Sequence, residues 1–202
     1  MGSHKMTTEE EIKVHLEKIN TYLMEADASF RMYCYFLKMR RKNRIKFYNY
    51  NFYTFHYLTN ALLNNFLSQM AKLIDPAEQG KGGMLKNSNL NYLKDILDEK
   101  ATPEEKNKIK QLTEYIKSNS ENLKLIRDKE LSHSDRETVR HDVIKKENRK
   151  NIRKLLNAKM KLLNVFRSIN NGVDNQRYFF EWNIDKQIKQ IFQPMVKDYK
   201  DV

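Results

Sequence analysis

Leu123-Lys124-Leu125-Ile126-Arg127-Asp128-Lys129-Glu130-Leu131-Ser132-His133-Ser134-Asp135 closes a long apolar-periodic segment. In that segment Ile109, Leu112, Ile116, Leu123 and Ile126 fall on one helical face. Its start is the sharpest local signal in the chain. In Thr102-Pro103-Glu104-Glu105 the Thr caps, the Pro takes the first helical position, and Glu105 closes a capping box. A long helix is therefore expected to deliver the polar cluster Arg127, Asp128 and His133. An Arg and a His this close can work on a phosphodiester without a metal: the guanidinium steadies phosphate charge and the imidazole moves a proton. The competing reading is a charged helix surface whose His133 helps cap the C-terminus, where cations are favoured.

Working outward from this helix, the spacing predicts more helices and no βαβ pattern. Thr8 and Glu11 can form a capping box ahead of Ile12, Leu16, Ile19 and Leu23, a helix expected to end near Ala26. Phe30 to Met39 reads as a second helical segment. Arg40, Arg41, Lys42, Arg44 and Lys46 then run into Phe47, Tyr48, Tyr50, Phe52, Tyr53, Phe55 and Tyr57. Basic residues beside aromatics suit single-stranded nucleic acid, by phosphate pairing and base stacking. They equally suit a solvated helix face adjoining core or dimer-interface aromatics. Phe55, Leu58, Leu62, Phe66, Met70 and Leu73 are spaced as a central amphipathic helix that stops before Pro76. Gln79 to Lys86, with Gly80, Gly82 and Gly83, reads as a plain loop, and Ser88 as the cap of a short helix holding Leu90, Leu93 and either Ile96 or Leu97.

Downstream of Asp135 the periodicity lapses. A basic helix follows, with Ile152, Leu155, Leu156, Leu162, Leu163, Phe166 and Ile169 on its apolar side. Lys145, Lys146, Arg149, Lys150, Arg153, Lys154 and Lys159 face elsewhere, and Asn170-Asn171-Gly172 ends the helix. A last helix is expected from about Asp185 to Val196. The sum is an all-α bundle.

Composition narrows the class. No apolar run approaches a membrane span, so no membrane partner is expected. The single Cys34 excludes an intramolecular disulfide framework and fits a reducing, cytoplasmic setting. No Cys/His or carboxylate cluster has ligand spacing, so neither metal nor cofactor is expected. Met1-Gly2-Ser3-His4-Lys5 reads as vector sequence, leaving 6–202 as a single helical domain. A net charge of +12 suits phosphate-bearing partners, and equally suits solubility alone.

The order of elements resembles the HEPN superfamily, and within it the abortive-infection group of bacterial phage-defence proteins. Three features carry the resemblance. The central helix ends in Ala71-Lys72-Leu73-Ile74-Asp75-Pro76, a short helix begins at Ser88-Asn89-Leu90, and Arg127-Asp128 followed by His133 looks like the superfamily motif of Arg, a polar residue and His. Arg136 and His141 satisfy the same bare pattern, but Arg127 ends a strongly periodic helix and Arg136 sits in the aperiodic stretch. The resemblance implies a bundle of four to five core helices plus extra terminal helices, paired as a symmetric homodimer. Arg127 and His133 of both copies would meet in a cleft at the interface, where Asp128 could hold the guanidinium or orient the imidazole. It further implies metal-independent RNA cleavage by 2′-hydroxyl attack. From charge, Arg40, Arg41, Lys42, Arg44, Lys145, Lys146, Arg149 and Lys150 are the residues expected to bind RNA if they flank that cleft. Many active members are toxins paired with a nucleotidyltransferase-type antitoxin; others are non-catalytic modules that bind nucleic acid or protein. In toxins silenced by adenylylation a Tyr stands two residues before the His, where this chain has Leu131. Six residues along an ideal helix put Arg127 and His133 about 120° apart. Either the helix ends between them, or each faces the partner's copy across a two-fold axis.

Overall fold

Spacing predicts a break near Ala26, but the computed structural model carries one helix, α1, through Thr8–Met39. Asp27-Ala28-Ser29 contains neither Gly nor Pro. Asp27 also accepts a hydrogen bond from Arg31 Nε at 2.7 Å one turn on, a pairing that supports a helix. The buried face runs straight across the expected break, through Leu23, Ala26, Phe30 and Tyr33. The cap falls one residue earlier than Thr8. Thr7 Oγ1 accepts the Glu10 N–H at 3.3 Å, and Glu10 Oε2 accepts the Thr7 N–H at 2.9 Å. The Thr7 backbone N–H, and secondly its hydroxyl, hold the Glu10 carboxyl below its ordinary pKa.

The structure describes residues 7–39, 49, 51–73, 78–79, 85–86, 88–132, 149–171 and 186–192. After α1 come α2 (Phe52–Lys72), β1 (Glu78–Gln79), β2 (Leu85–Lys86), α3 (Leu90–Leu97), a 3₁₀ turn at Asp98–Lys100, α4 (Pro103–Ser132) and α5 (Arg149–Asn171). Residues 186–192 are again helical, within the span expected for the last helix. The all-α reading holds, with one addition. The ends of the expected loop pair as an antiparallel ribbon, Glu78 with Lys86 and Gln79 with Leu85; two-residue strands are too short to show a period. Among the described residues no helix is long and apolar enough to cross a membrane.

The chain divides into two compact units that interleave in sequence: Met1–Leu23 with Gln69–Gln176, and Met24–Ser68 with Arg177–Val202. In the first unit α5 packs against both α4 and α3. Asn89, not Ser88, caps α3: its side chain accepts the Tyr92 N–H at 2.8 Å. The Leu90 N–H donates to the Leu73 carbonyl at 3.3 Å, tying the start of α3 to the end of α2. Leu90, Tyr92, Leu93 and Leu97 are the buried residues of α3.

The second unit is built on aromatic rings. Phe36 and Phe55 form its buried cluster, with Tyr35, Leu62 and Phe192 packed against it. Phe36 meets Phe55 at 5.4 Å and Phe192 at 5.2 Å between ring centres, both edge-on, the favoured aromatic geometry. Phe30 meets Phe66 at 5.1 Å, and Asn65 donates to Ser29 Oγ at 2.8 Å. The core stripe of α2 differs from the one its spacing predicts. Phe55, Thr59, Leu63, Phe66, Leu67 and Met70 are buried and Leu58 is exposed. Thr59 tolerates its position because its hydroxyl donates to the Phe55 carbonyl at 2.5 Å, which satisfies the buried polar group within the helix.

Candidate functional site

The helix that carries the Arg127 motif starts as its sequence predicts. Thr102 N–H and Oγ1 each lie 2.9 Å from Glu105 Oε2, and the Glu105 N–H donates to Thr102 Oγ1 at 3.3 Å. Beyond Pro103, α4 contains no Pro or Gly and runs unbroken for 30 residues. Ile109, Ile116, Ser120 and Leu123 are its buried stripe, and α4 packs on α5. Ser120 takes a turn where a larger apolar residue would continue the pattern. Arg127 follows Leu123 by one turn, in the register of that stripe, and Asp128 is the next position. The backbone from 128 to 132 is helical throughout. No break therefore falls in the five residues that separate Arg127 from His133. His133 itself lies outside the described residues, as do Arg40, Arg41, Lys42, Arg44, Lys145 and Lys146.

Of the expected RNA-binding cations, Arg149 and Lys150 open α5, one half-buried and one exposed. The helix they begin has seven Lys and Arg and no Asp or Glu. Arg153, Lys154 and Lys161 are exposed on it beside Asn157 and Asn164. Lys159 departs from the expected basic face: it is 0% exposed. Its Nζ lies 3.5 Å from the Met70 carbonyl, one of the last carbonyls of α2, where a cation meets the negative end of the helix. Its methylene stem supplies apolar packing, which charged-residue patterns do not reveal.

A second polar grouping lies where sequence reading placed only the apolar face of α1. His15 is buried between Ile12, Leu16 and Ile19, with Nδ1 2.7 Å from Ser88 Oγ. Its ring lies 4.4 Å from that of Tyr92, whose hydroxyl donates to Glu11 at 2.5 Å. Glu11 Oε1 is 3.9 Å from His15 Nε2. The i,i+4 spacing of Glu11 and His15 was the one signal available. The grouping satisfies buried polar atoms and fastens α1 to α3. Among the described residues no three His, Cys, Asp or Glu side chains gather as a metal ion requires.

An all-α chain with this helix order and an Arg-polar-His segment at the end of a long helix is of the HEPN type. The family model described as AbiU2 matches residues 9–182, and the chain belongs to that abortive-infection family of HEPN proteins. No curated protein and no solved structure matches the chain.

Proposed function

We propose that this protein is a metal-independent endoribonuclease of the HEPN phage-defence type, working at a composite site between two copies of the chain. The observation that supports the reading is the family match over residues 9–182, which spans Arg127, Asp128 and His133. Successive helical positions turn by about 100°, so two groups six residues apart on a continuous helix would not be aimed at one phosphate. A two-fold axis removes the difficulty, because it brings the same patch of both copies together. The exposed cations of α5 add the phosphate attraction that RNA requires.

In this reading His133 takes the proton of an RNA 2′-hydroxyl as its oxygen attacks the adjacent phosphorus. The bond from phosphorus to the 5′-oxygen breaks, and that oxygen leaves with a proton from the imidazolium pair. The products are a 2′,3′-cyclic phosphate and a 5′-hydroxyl. Arg127 and its symmetry mate hold the charge of the phosphorane by forked hydrogen bonds. Asp128 serves to hold the guanidinium or to orient the imidazole. A neutralising partner of nucleotidyltransferase type belongs to the same reading.

The test is RNA cleavage in EDTA. Wild type is expected to cut, and His133→Ala and Arg127→Ala to stay folded and lose activity by about 10²–10⁴. A substrate with a 2′-deoxy sugar at the cleavage site should resist. Cleavage of that substrate at the normal rate, or by His133→Ala at the wild-type rate, would falsify the mechanism. RNA that is bound and left whole by wild type identifies a non-catalytic module.

A further inference from the structure

The start of α1 and the middle of α4 balance charge on their outer faces; α5 does not. α1 exposes Glu9, Lys13 and Glu17, and α4 exposes Glu114, Lys117 and Glu121, so Lys13 and Lys117 each have a carboxylate three or four residues away on both sides. Such alternation adds stability to a solvated helix. On α5 the same stripe reads Lys150, Lys154, Asn157, Lys161 and Asn164, with Asn where the other helices have Glu. Helix formation does not explain the exchange, because Glu is the better helix former and would also pair with the lysines. The ion pairs of the described residues join His15 with Glu11, Arg31 with Asp27 and Lys106 with Asp98; among those residues Arg153, Lys154 and Lys161 take part in none.

The make-up of this face selects its occupant. Steps of four and three keep the stripe straight, and from Lys150 to Asn164 it runs about 21 Å. Every exposed residue among those described in α5 is Lys, Arg or Asn. The cations suit phosphate, and the carboxamides donate and accept hydrogen bonds. The Arg167 guanidinium donates to Asn164 Oδ1 at 3.3 Å, so the N–H₂ of that carboxamide is the group left to offer. A single strand is held largely by stacking on aromatic rings, and no ring is exposed among the described residues of α5. A lipid surface takes apolar side chains between the cations, and that face has none. Base-paired RNA asks for what is present. It is recognised through phosphates and 2′-hydroxyls rather than bases, and its backbone is already ordered when it meets a rigid row.

We infer that the exposed face of α5 is a backbone-binding row for a base-paired stem of the RNA this protein engages. Arg153, Lys154 and Lys161 hold phosphates, and Asn157 and Asn164 bond to phosphate or 2′-hydroxyl oxygens between them. The inference rests on RNA being the ligand and adds its class: RNA with a paired stem, gripped without regard to sequence. α5 packs on α4, so the stem is held on the neighbour of the helix that bears Arg127.

The experiment uses the full-length chain carrying His133→Ala, so that bound RNA is not consumed. The probes are a fluorescent RNA hairpin, an RNA of equal length that cannot pair, a DNA hairpin of the same sequence, and vesicles containing phosphatidylserine. Anisotropy titration should show the RNA hairpin bound more tightly than the unpaired RNA and the DNA hairpin. Replacing Arg153, Lys154 and Lys161 together by Gln should lower the slope of log affinity against log salt for the RNA hairpin by about 2.7, at roughly 0.9 per duplex phosphate. Asn157→Ala and Asn164→Ala should each weaken the RNA hairpin about 2- to 10-fold, the worth of one hydrogen bond, and leave that slope unchanged. Circular dichroism should show every variant folded. Tighter binding of the unpaired RNA overturns the inference, as does a triple variant with the parent's slope or an Asn pair with the parent's affinity. Vesicle binding as strong as hairpin binding, and lost in the same triple variant, means general attraction to anionic surfaces and overturns it too. No RNA binding by the parent overturns it outright. Hairpin binding that depends on α5, with no cutting by wild type, leaves the row standing and removes the cleavage mechanism; cutting by wild type with hairpin binding indifferent to α5 does the opposite.

Discussion

α2 and α5 are both free of carboxylates, yet they offer solvent different chemistry. α5 exposes Lys150, Arg153, Lys154 and Lys161; α2 exposes Tyr53 and Tyr57 and has Lys72 as its one cation. Cations attract phosphate over a Debye length and lose their hold as salt rises, whereas rings act only on contact and scarcely respond to salt. With acid excluded from both, one helix shows solvent a row of cations and the other two aromatic rings. Each helix also has members that break its pattern. Phe55 and Phe66 are aromatics of α2 taken into the core, and Lys159 is a cation of α5 that is fully buried.

Those exceptions give the sharpest tests. Phe55→Ala should cost about 3–5 kcal/mol of stability in chemical denaturation, the usual loss for a buried Phe. Tyr53→Ala, two residues away, should stay within about 0.5 kcal/mol of wild type, as exposed positions do. Equal losses at both would erase the division of the aromatic run. Lys159→Ala should cost about 2–5 kcal/mol, in the range for a buried Met of similar length, and should also free the Met70 carbonyl. Lys159→Met keeps the stem and should cost less. A near-neutral Lys159→Ala would put that residue back with the exposed cations. The smallest effect is read in salt. Replacing Lys150, Arg153 and Lys154 together by Gln should reduce the slope of log affinity against log salt by about 2, at roughly 0.7 per single-strand phosphate. A triple variant with the wild-type slope would remove α5 from the RNA surface.

The parts of this fold that were legible in the sequence are those where one local rule has no rival. Thr102-Pro103-Glu104-Glu105 starts α4 as written, because cap, first-turn Pro and box all point to one residue. At Ser88-Asn89 two good caps compete; Asn89 wins because Ser88 is engaged by His15 across the unit, a tertiary fact no local pattern contains. Thr7 and Thr8 compete in the same way, each with a Glu three residues on. At Asp27 the spacing predicts an end, yet the helix meets no Gly or Pro there and continues. Thr59 and Lys159 entered the core by satisfying their polar atoms on backbone carbonyls, so residue type alone put them outside. The Arg127 motif was found from its position at the end of a periodic helix, and the family match over 9–182 agrees with the superfamily it suggested. Glu11, His15, Ser88 and Tyr92 were missed because their partners are far apart along the chain.

The interleaving of the two units has a consequence for synthesis. The ring cluster of Phe36 and Phe55 is completed by Phe192, 192 − 55 = 137 residues later than Phe55. Ribosomes add roughly 5–20 residues per second, so the cluster waits about 7–27 s for Phe192. Meanwhile residues 69–176 of the other unit emerge and can fold onto the start of α1. The aromatic cluster of the second unit therefore stays incomplete for many seconds, a state in which chaperone access and aggregation compete with completion.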